Sequence, residues 1–224
     1  MKELALFLGF LVIPLAFVVV SERAAGARLG GATDAASDVP IASAAEDSYC
    51  TVQLKQVVRR VAGACGLLEN GARGCKPADA KSVASLTGDD FNSLFKPLQQ
   101  RAHIIQFDKD KVELDEGGFK EVEKSWSEKK GASFFFVVAR ASTDGDKDYN
   151  VQLSQQRAQA VLTHLNEKFG GDDDLKKVGL LWLGAEYAQL GKEFCTWNRS
   201  RDGAECQVAD INRSAFVAWI DCSI

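Results

Sequence analysis

The sequence predicts an α+β fold: a mixed sheet with helices on one face in the order β-α-β-α-β-β, preceded by a transmembrane helix, a flexible tether and a small helical collar. Three observations carry this. Leu4 to Val20 is uncharged and apolar, the next stretch is rich in Ala, Gly and Ser, and helix-period and strand-period segments alternate from His103 onward. The expected organisation is residues 1–23 as anchor, 24–47 as linker, 48–100 as collar and 101–224 as the main domain.

At 224 residues and 46% hydrophobic composition the chain has room for a folded domain and a smaller appendage. Its 27 Lys and Arg are mixed among 31 Asp and Glu, so there is no basic stripe for a phosphate backbone, and nucleic acid is excluded as a partner class.

The run LALFLGFLVIPLAFVVV lacks charged side chains. A cleaved signal carries an apolar core of roughly 7–15 residues, whereas about 17 suffice to cross a bilayer, so length favours an uncleaved anchor. A signal peptide is the alternative, because Ala25-Gly26-Ala27 has the small-x-small form. No cysteine precedes Cys50, which excludes a lipid-modified cysteine directly after the segment. Residues 24–47 have a linker composition that reaches roughly 80 Å extended and averages about 27 Å as a coil.

Six cysteines follow, Cys50, Cys65, Cys75, Cys195, Cys206 and Cys222, without a C-x-x-C pair. With only His103 and His164 in the chain, no metal site is expected. Dispersed cysteines in an exported chain predict disulfides in an oxidising compartment, hence a domain outside the cytoplasm. The pairing stays open among about 15 possibilities; Cys195 with Cys206 and Cys65 with Cys75 close the short loops.

In the collar, the spacing of Val57, Val58, Val61 and Cys65 predicts a helix over 48–68. A second helix is predicted over 89–99, capped by Asp89 or Asp90, with Phe91, Leu94 and Leu98 on one side. In the main domain the expected elements are a strand at 104–107, a helix at 115–129 with Phe119, Val122 and Trp126 at i, i+3 and i+7, and a buried strand at 133–139. A helix from Ser154 to Phe169 follows, with Ala158, Val161, Leu162, Leu165 and Phe169 as its stripe, then strands at 178–183 and 214–221.

Ser154 as N-cap would place Arg157 in the first helical turn, beside free N–H groups and the positive end of the helix dipole, a setting for a carboxylate. Asp144 lies at the end of the buried strand, in a Gly-containing loop that leads back to the same helix, so it would face Arg157 across a short gap. A ligand with an ammonium and a carboxylate on one carbon satisfies both. The competing expectation is an internal Asp144–Arg157 ion pair.

The segment Thr143-Asp144-Gly145 through Tyr149-Asn150, Leu153-Ser154 and Arg157-Ala158 resembles the signature of the OmpA-like peptidoglycan-binding family. That signature reads TD, a Gly-containing loop, YN, LS and RA, and the spacing from Tyr149 to Ala158 is intact. The resemblance spans roughly half the chain, from Ile104-Ile105-Gln106-Phe107 to Asn212-Arg213, and a composite motif at fixed offsets is more specific than any of its dipeptides. Three departures are present: a loop two residues shorter before Tyr149, Ser142 in place of His, and Ser214 in place of the second Arg of the closing element.

The resemblance implies non-covalent binding of the diaminopimelate of the peptidoglycan stem peptide, with Asp144 taking its ammonium and Arg157 its carboxylate. It also implies Thr143, Asn150 and Asn212 around the ligand, with Asn150 and Leu153 shaping the loop. Each charge-assisted contact contributes roughly 1.5–3 kcal/mol. No cofactor is expected, and the absence of a nucleophile or carboxylate-pair constellation argues against an enzyme. His164 is expected at a surface or boundary, the loop 191–205 with Trp197 as a stapled insertion that is structural or presents Trp197 to a partner, and Asp172-Asp173-Asp174 as a solvated turn.

The alternative function is the B subunit of a MotB-like ion-driven stator, whose wall-bound head holds a multi-span membrane partner. The apolar run carries no intramembrane acid, which counts against it. The simple tether predicts a homodimer instead.

Overall fold

The computed structural model describes residues 49–64, 87–129 and 132–222, which belong to one compact unit. The anchor, the linker, Cys65 and Cys75 lie outside the described residues. Among the described residues no helix is long and apolar enough to cross a membrane.

Five strands form one mixed sheet: β1 (Ala102–Gln106), β2 (Phe134–Ala139), β3 (Val178–Trp182), β4 (Asn198–Arg199) and β5 (Ser214–Ile220), in the spatial order β3-β2-β5-β1-β4. β5 is central and antiparallel to both neighbours, with Val217 opposite His103 on β1 and Val137 on β2. β3 runs parallel to β2, and β4 parallel to β1. β4 adds a short strand to the expected order.

β2 explains the layering. Its residues Phe134 to Ala139 are all buried, which requires cover on both faces of the sheet. On one face Phe135, Val137 and Trp219 meet Val122 and Trp126 of α3 (Glu116–Ser127) and Val161 and Leu165 of α4 (Lys147–Phe169). On the other, Phe136, Phe216 and Ile220 meet Leu54, Val57, Val58 and Val61 of α1 (Val52–Ala64) and Phe91 and Phe95 in and after α2 (Gly88–Ser93).

Helices therefore cover both faces, and the expectation of one covered face is corrected. The stretch read as a collar carries the apolar stripe that hides Phe134, Phe136 and Val138 from water, so it shares the core of the sheet.

Local chemistry sets the helix ends. Thr87, rather than Asp89 or Asp90, caps α2 by accepting from Asp90 N–H, and with Pro97 following, the chain continues as a 3-10 turn, Lys96–Arg101. Asp115 caps α3 through Gly118 N–H (2.7 Å) and also receives Arg201 at 2.8 Å. Burial pushes the Asp115 carboxyl up, but those donors outweigh it and hold it below its ordinary range. Phe119 is exposed and its ring lies tilted against that of His164, which also meets Glu123 at 3.2 Å, a boundary position for His164 as expected.

Two disulfides are present among the described residues, Cys195–Cys206, as expected, and Cys50–Cys222, which joins the start of α1 to the end of β5. Trp197 is buried against Phe194 and Phe216, so the insertion presents no tryptophan to a partner. Asp172 and Asp174 both pair with Lys129, which ties the acidic turn to the end of α3.

Candidate functional site

The signature segment forms one loop and the first turns of α4, beyond the end of β2. α4 begins at Lys147 with Asp146 as N-cap, whose Oδ1 accepts Tyr149 N–H at 2.9 Å. The helix thus starts seven residues before Ser154. Asn150, Leu153, Ser154, Arg157, Ala158, Val161 and Leu165 form one buried stripe, and its polar members conceal the helical period from an apolar pattern.

Ser154 is consequently not a cap. Its hydroxyl donates to Val151 O (2.8 Å) and accepts Gly184 N–H (3.0 Å), stitching the helix to the loop after β3. Arg157 lies well inside α4, beyond the reach of the helix terminus, so the first-turn account of its carboxylate preference is overturned.

Arg157 is 0% exposed. Its guanidinium donates to three backbone carbonyls: Lys111 (3.0 Å), Arg140 (3.0 Å) and Asp108 (3.1 Å). The group also sits 5.2 Å over the Phe107 ring. Burial pulls its pKa down to about 10, helped by the Arg213 charge and opposed by Asp110 and Tyr149. It remains a cation at neutral pH. In this arrangement it pins the loop after β1 to the end of β2.

Asp144 is exposed, and no ion pair within 4 Å joins it to Arg157, which removes the expectation of an internal pair. Ser142 Oγ, at the position where the family signature carries His, donates to Asp144 Oδ2 at 3.3 Å. The buried Asn150 side chain donates to Asp144 O at 2.8 Å, and Gly145 follows with φ +88°, a left-handed turn that favours glycine. Asn150 therefore fixes the backbone of the loop that carries the Asp144 carboxylate.

A cleft of about 360 Å³ opens beside this loop, lined by Thr143, Gly145, Lys147, Asn150, Glu186 and Gln189 among others. Lys147 and Glu186, both in its lining, form an ion pair, which raises the Lys147 pKa through the Glu186 hydrogen bond and charge. Thr143 and Asn150 thus lie at the cleft.

Asn212 is not. It is buried, accepts Leu190 N–H (2.7 Å) and donates to Leu190 O (3.0 Å) and Val208 O (2.9 Å), so its amide is engaged at both ends. The expectation that it lines the pocket is corrected: it straps the backbone at Leu190, one residue past the cleft wall at Gln189.

Arg140 and Asn92 also position that wall. The fully buried Arg140 donates to Ala188 O (2.7 Å) and Asn92 Oδ1 (2.9 Å), while Asn92 Nδ2 donates to Gln189 O (2.8 Å). Burial alone lowers the Arg140 pKa to about 9. The available signal was an arginine directly after the apolar run of β2.

No protein-family model matches the chain, and no curated protein matches it. Among solved structures the chain is similar to the peptidoglycan-associated lipoprotein from Burkholderia pseudomallei, with 22% identity, covering 55% of this chain and 92% of that chain at a TM-score of 0.38. It is also similar to the OmpA-like domain of FopA1 from Francisella tularensis subsp. tularensis SCHU S4, with 21% identity, covering 54% of this chain and 74% of that chain at a TM-score of 0.38.

Proposed function

We propose that this protein is a non-enzymatic wall anchor that binds peptidoglycan through the stem peptide and fixes a membrane-tethered protein to the wall. The observation that carries the reading is the fold of the signature segment: Thr143 to Ala158 makes one loop-and-helix unit that carries an exposed Asp144 carboxylate between Thr143 and Gly145, which line a cleft. An exposed, backbone-fixed carboxylate receives the free ammonium of a diamino acid by a charge-assisted hydrogen bond. In the conformation described, Arg157 meets a ligand carboxylate only if the carbonyls of Asp108 and Lys111 give way.

The tether belongs to the same reading. The run 4–20 as an inner-membrane helix and 24–47 as a coil would leave the domain free to reach the wall from its anchor, and disulfides suit a periplasmic location. One stem peptide held by few contacts is a modest ligand, so firm retention comes from several wall sites engaged by a homodimer.

The test is co-sedimentation of the full chain, in detergent, with purified sacculi containing diaminopimelate. The parent sediments with the wall and the Asp144→Ala variant stays largely in the supernatant. A parent that stays in the supernatant contradicts the reading.

A further inference from the structure

The cleft contains more than a carboxylate. Lys147 and Glu186 pair in its lining while both remain solvent-exposed, with side-chain exposures of 63% and 54%. An exposed ion pair of this kind contributes little to folding and is easily exchanged for other partners. The neutral amides nearby are already committed, Asn150 Nδ2 to Asp144 O and Gln189 Nε2 to Ala141 O at 3.2 Å. The charges at this cleft are therefore Lys147, Glu186 and the adjoining Asp144.

Arg157 does not line the cleft, and its guanidinium is occupied by three backbone carbonyls. A ligand carboxylate entering beside Asp144 finds Lys147 as its cation. The shorter loop before Tyr149 brings this about: Lys147 follows Asp144 by three residues, at the first position of α4.

Resting on the peptidoglycan reading, we infer that Lys147 and Glu186 are the selectivity element of the cleft. They exchange their mutual pair for a ligand end that carries an ammonium and a carboxylate on one carbon. The carboxylate meets Lys147, and the ammonium meets Glu186 and Asp144. Lys147 and Glu186 each keep an opposite charge throughout, so the exchange strands neither. A cavity of about 360 Å³ suits an amino-acid end group. Two carboxylates repel a purely anionic ligand, and a diamine leaves Lys147 without a partner.

The test is calorimetric titration of the full chain in detergent with meso-diaminopimelate, with pimelate, which lacks both ammonium groups, and with 1,5-diaminopentane, which lacks both carboxylates. Diaminopimelate is expected to bind at least tenfold more tightly than either analogue. K147M and E186Q are each expected to weaken it by a similar factor and to reduce retention on sacculi.

The swapped variant K147E/E186K keeps an ion pair but reverses it relative to Asp144, so it is expected to melt like the parent without regaining binding. If K147M and E186Q bind diaminopimelate and sacculi as the parent does, the inference is overturned while peptidoglycan binding stands. Equal binding of pimelate also overturns it, and a parent that does not sediment with sacculi overturns both readings.

Discussion

Replacing Cys50 and Cys222 by Ser is expected to destabilise the domain by about 5 kcal/mol. The bond closes a sequence separation of 172 residues, and the chain entropy it removes from the unfolded state grows with that length. The same treatment of Cys195–Cys206, with a separation of 11, gives only about 3 kcal/mol. The larger bond also joins layers: it fastens the entry to α1, whose stripe covers one face of the sheet, to the end of the central strand β5. Urea unfolding of the oxidised parent and the double Ser variant measures the difference, and a loss below about 1 kcal/mol contradicts the expectation.

Arg157→Ala is expected to cost about 3–5 kcal/mol in folding stability, because three backbone carbonyls lose their donor at roughly 1–3 kcal/mol each. The substitution leaves the carbonyls of Asp108, Lys111 and Arg140 without their donor and opens a void beside Phe107. Lys is no rescue, because a single ammonium does not match donors aimed at three carbonyls from a planar fork. Thermal melts of the Ala and Lys variants read this out directly. If both melt within a degree or two of the parent, Arg157 is not the structural pin described here, and its guanidinium is free for ligand after all.

The strands and α3 were legible because their patterns are local. Apolar runs at β2 and β5 and the Val122–Trp126 spacing of α3 lie within the elements they define. The start of α4 was misread for a physical reason: Asn150 and Ser154 occupy the buried stripe, so the apolar period begins only at Ala158, and Ser154 imitates a cap. β2 already implied two covering layers through its unbroken burial, and the apolar stripe of α1 was its partner. β4 has no strand pattern in Asn198–Arg199 and exists through pairing with β1.

At the site, the Asp144 loop was legible and the engagement of Arg157 was not. The carbonyls that occupy the guanidinium come from Asp108 and Lys111, more than forty residues away in the chain, and from Arg140. Likewise Asn212 looked like a ligand contact by motif position, whereas its partners are the backbone groups of Leu190 and Val208. Cys50–Cys222 could not be chosen from spacing, because its members lie at opposite ends of the folded unit.

The most direct test of the central claim is the affinity of the full chain for a soluble stem peptide containing diaminopimelate, compared between the parent and Asp144→Asn. Asn keeps the size of the side chain and removes only its charge, so the loop held by Asn150 stays in place. Loss of one charge-assisted contact of about 1.5–3 kcal/mol predicts a Kd raised roughly 10- to 150-fold with the melting temperature unchanged. Equal affinities for the two proteins would contradict the assignment of Asp144 as the ammonium-binding carboxylate.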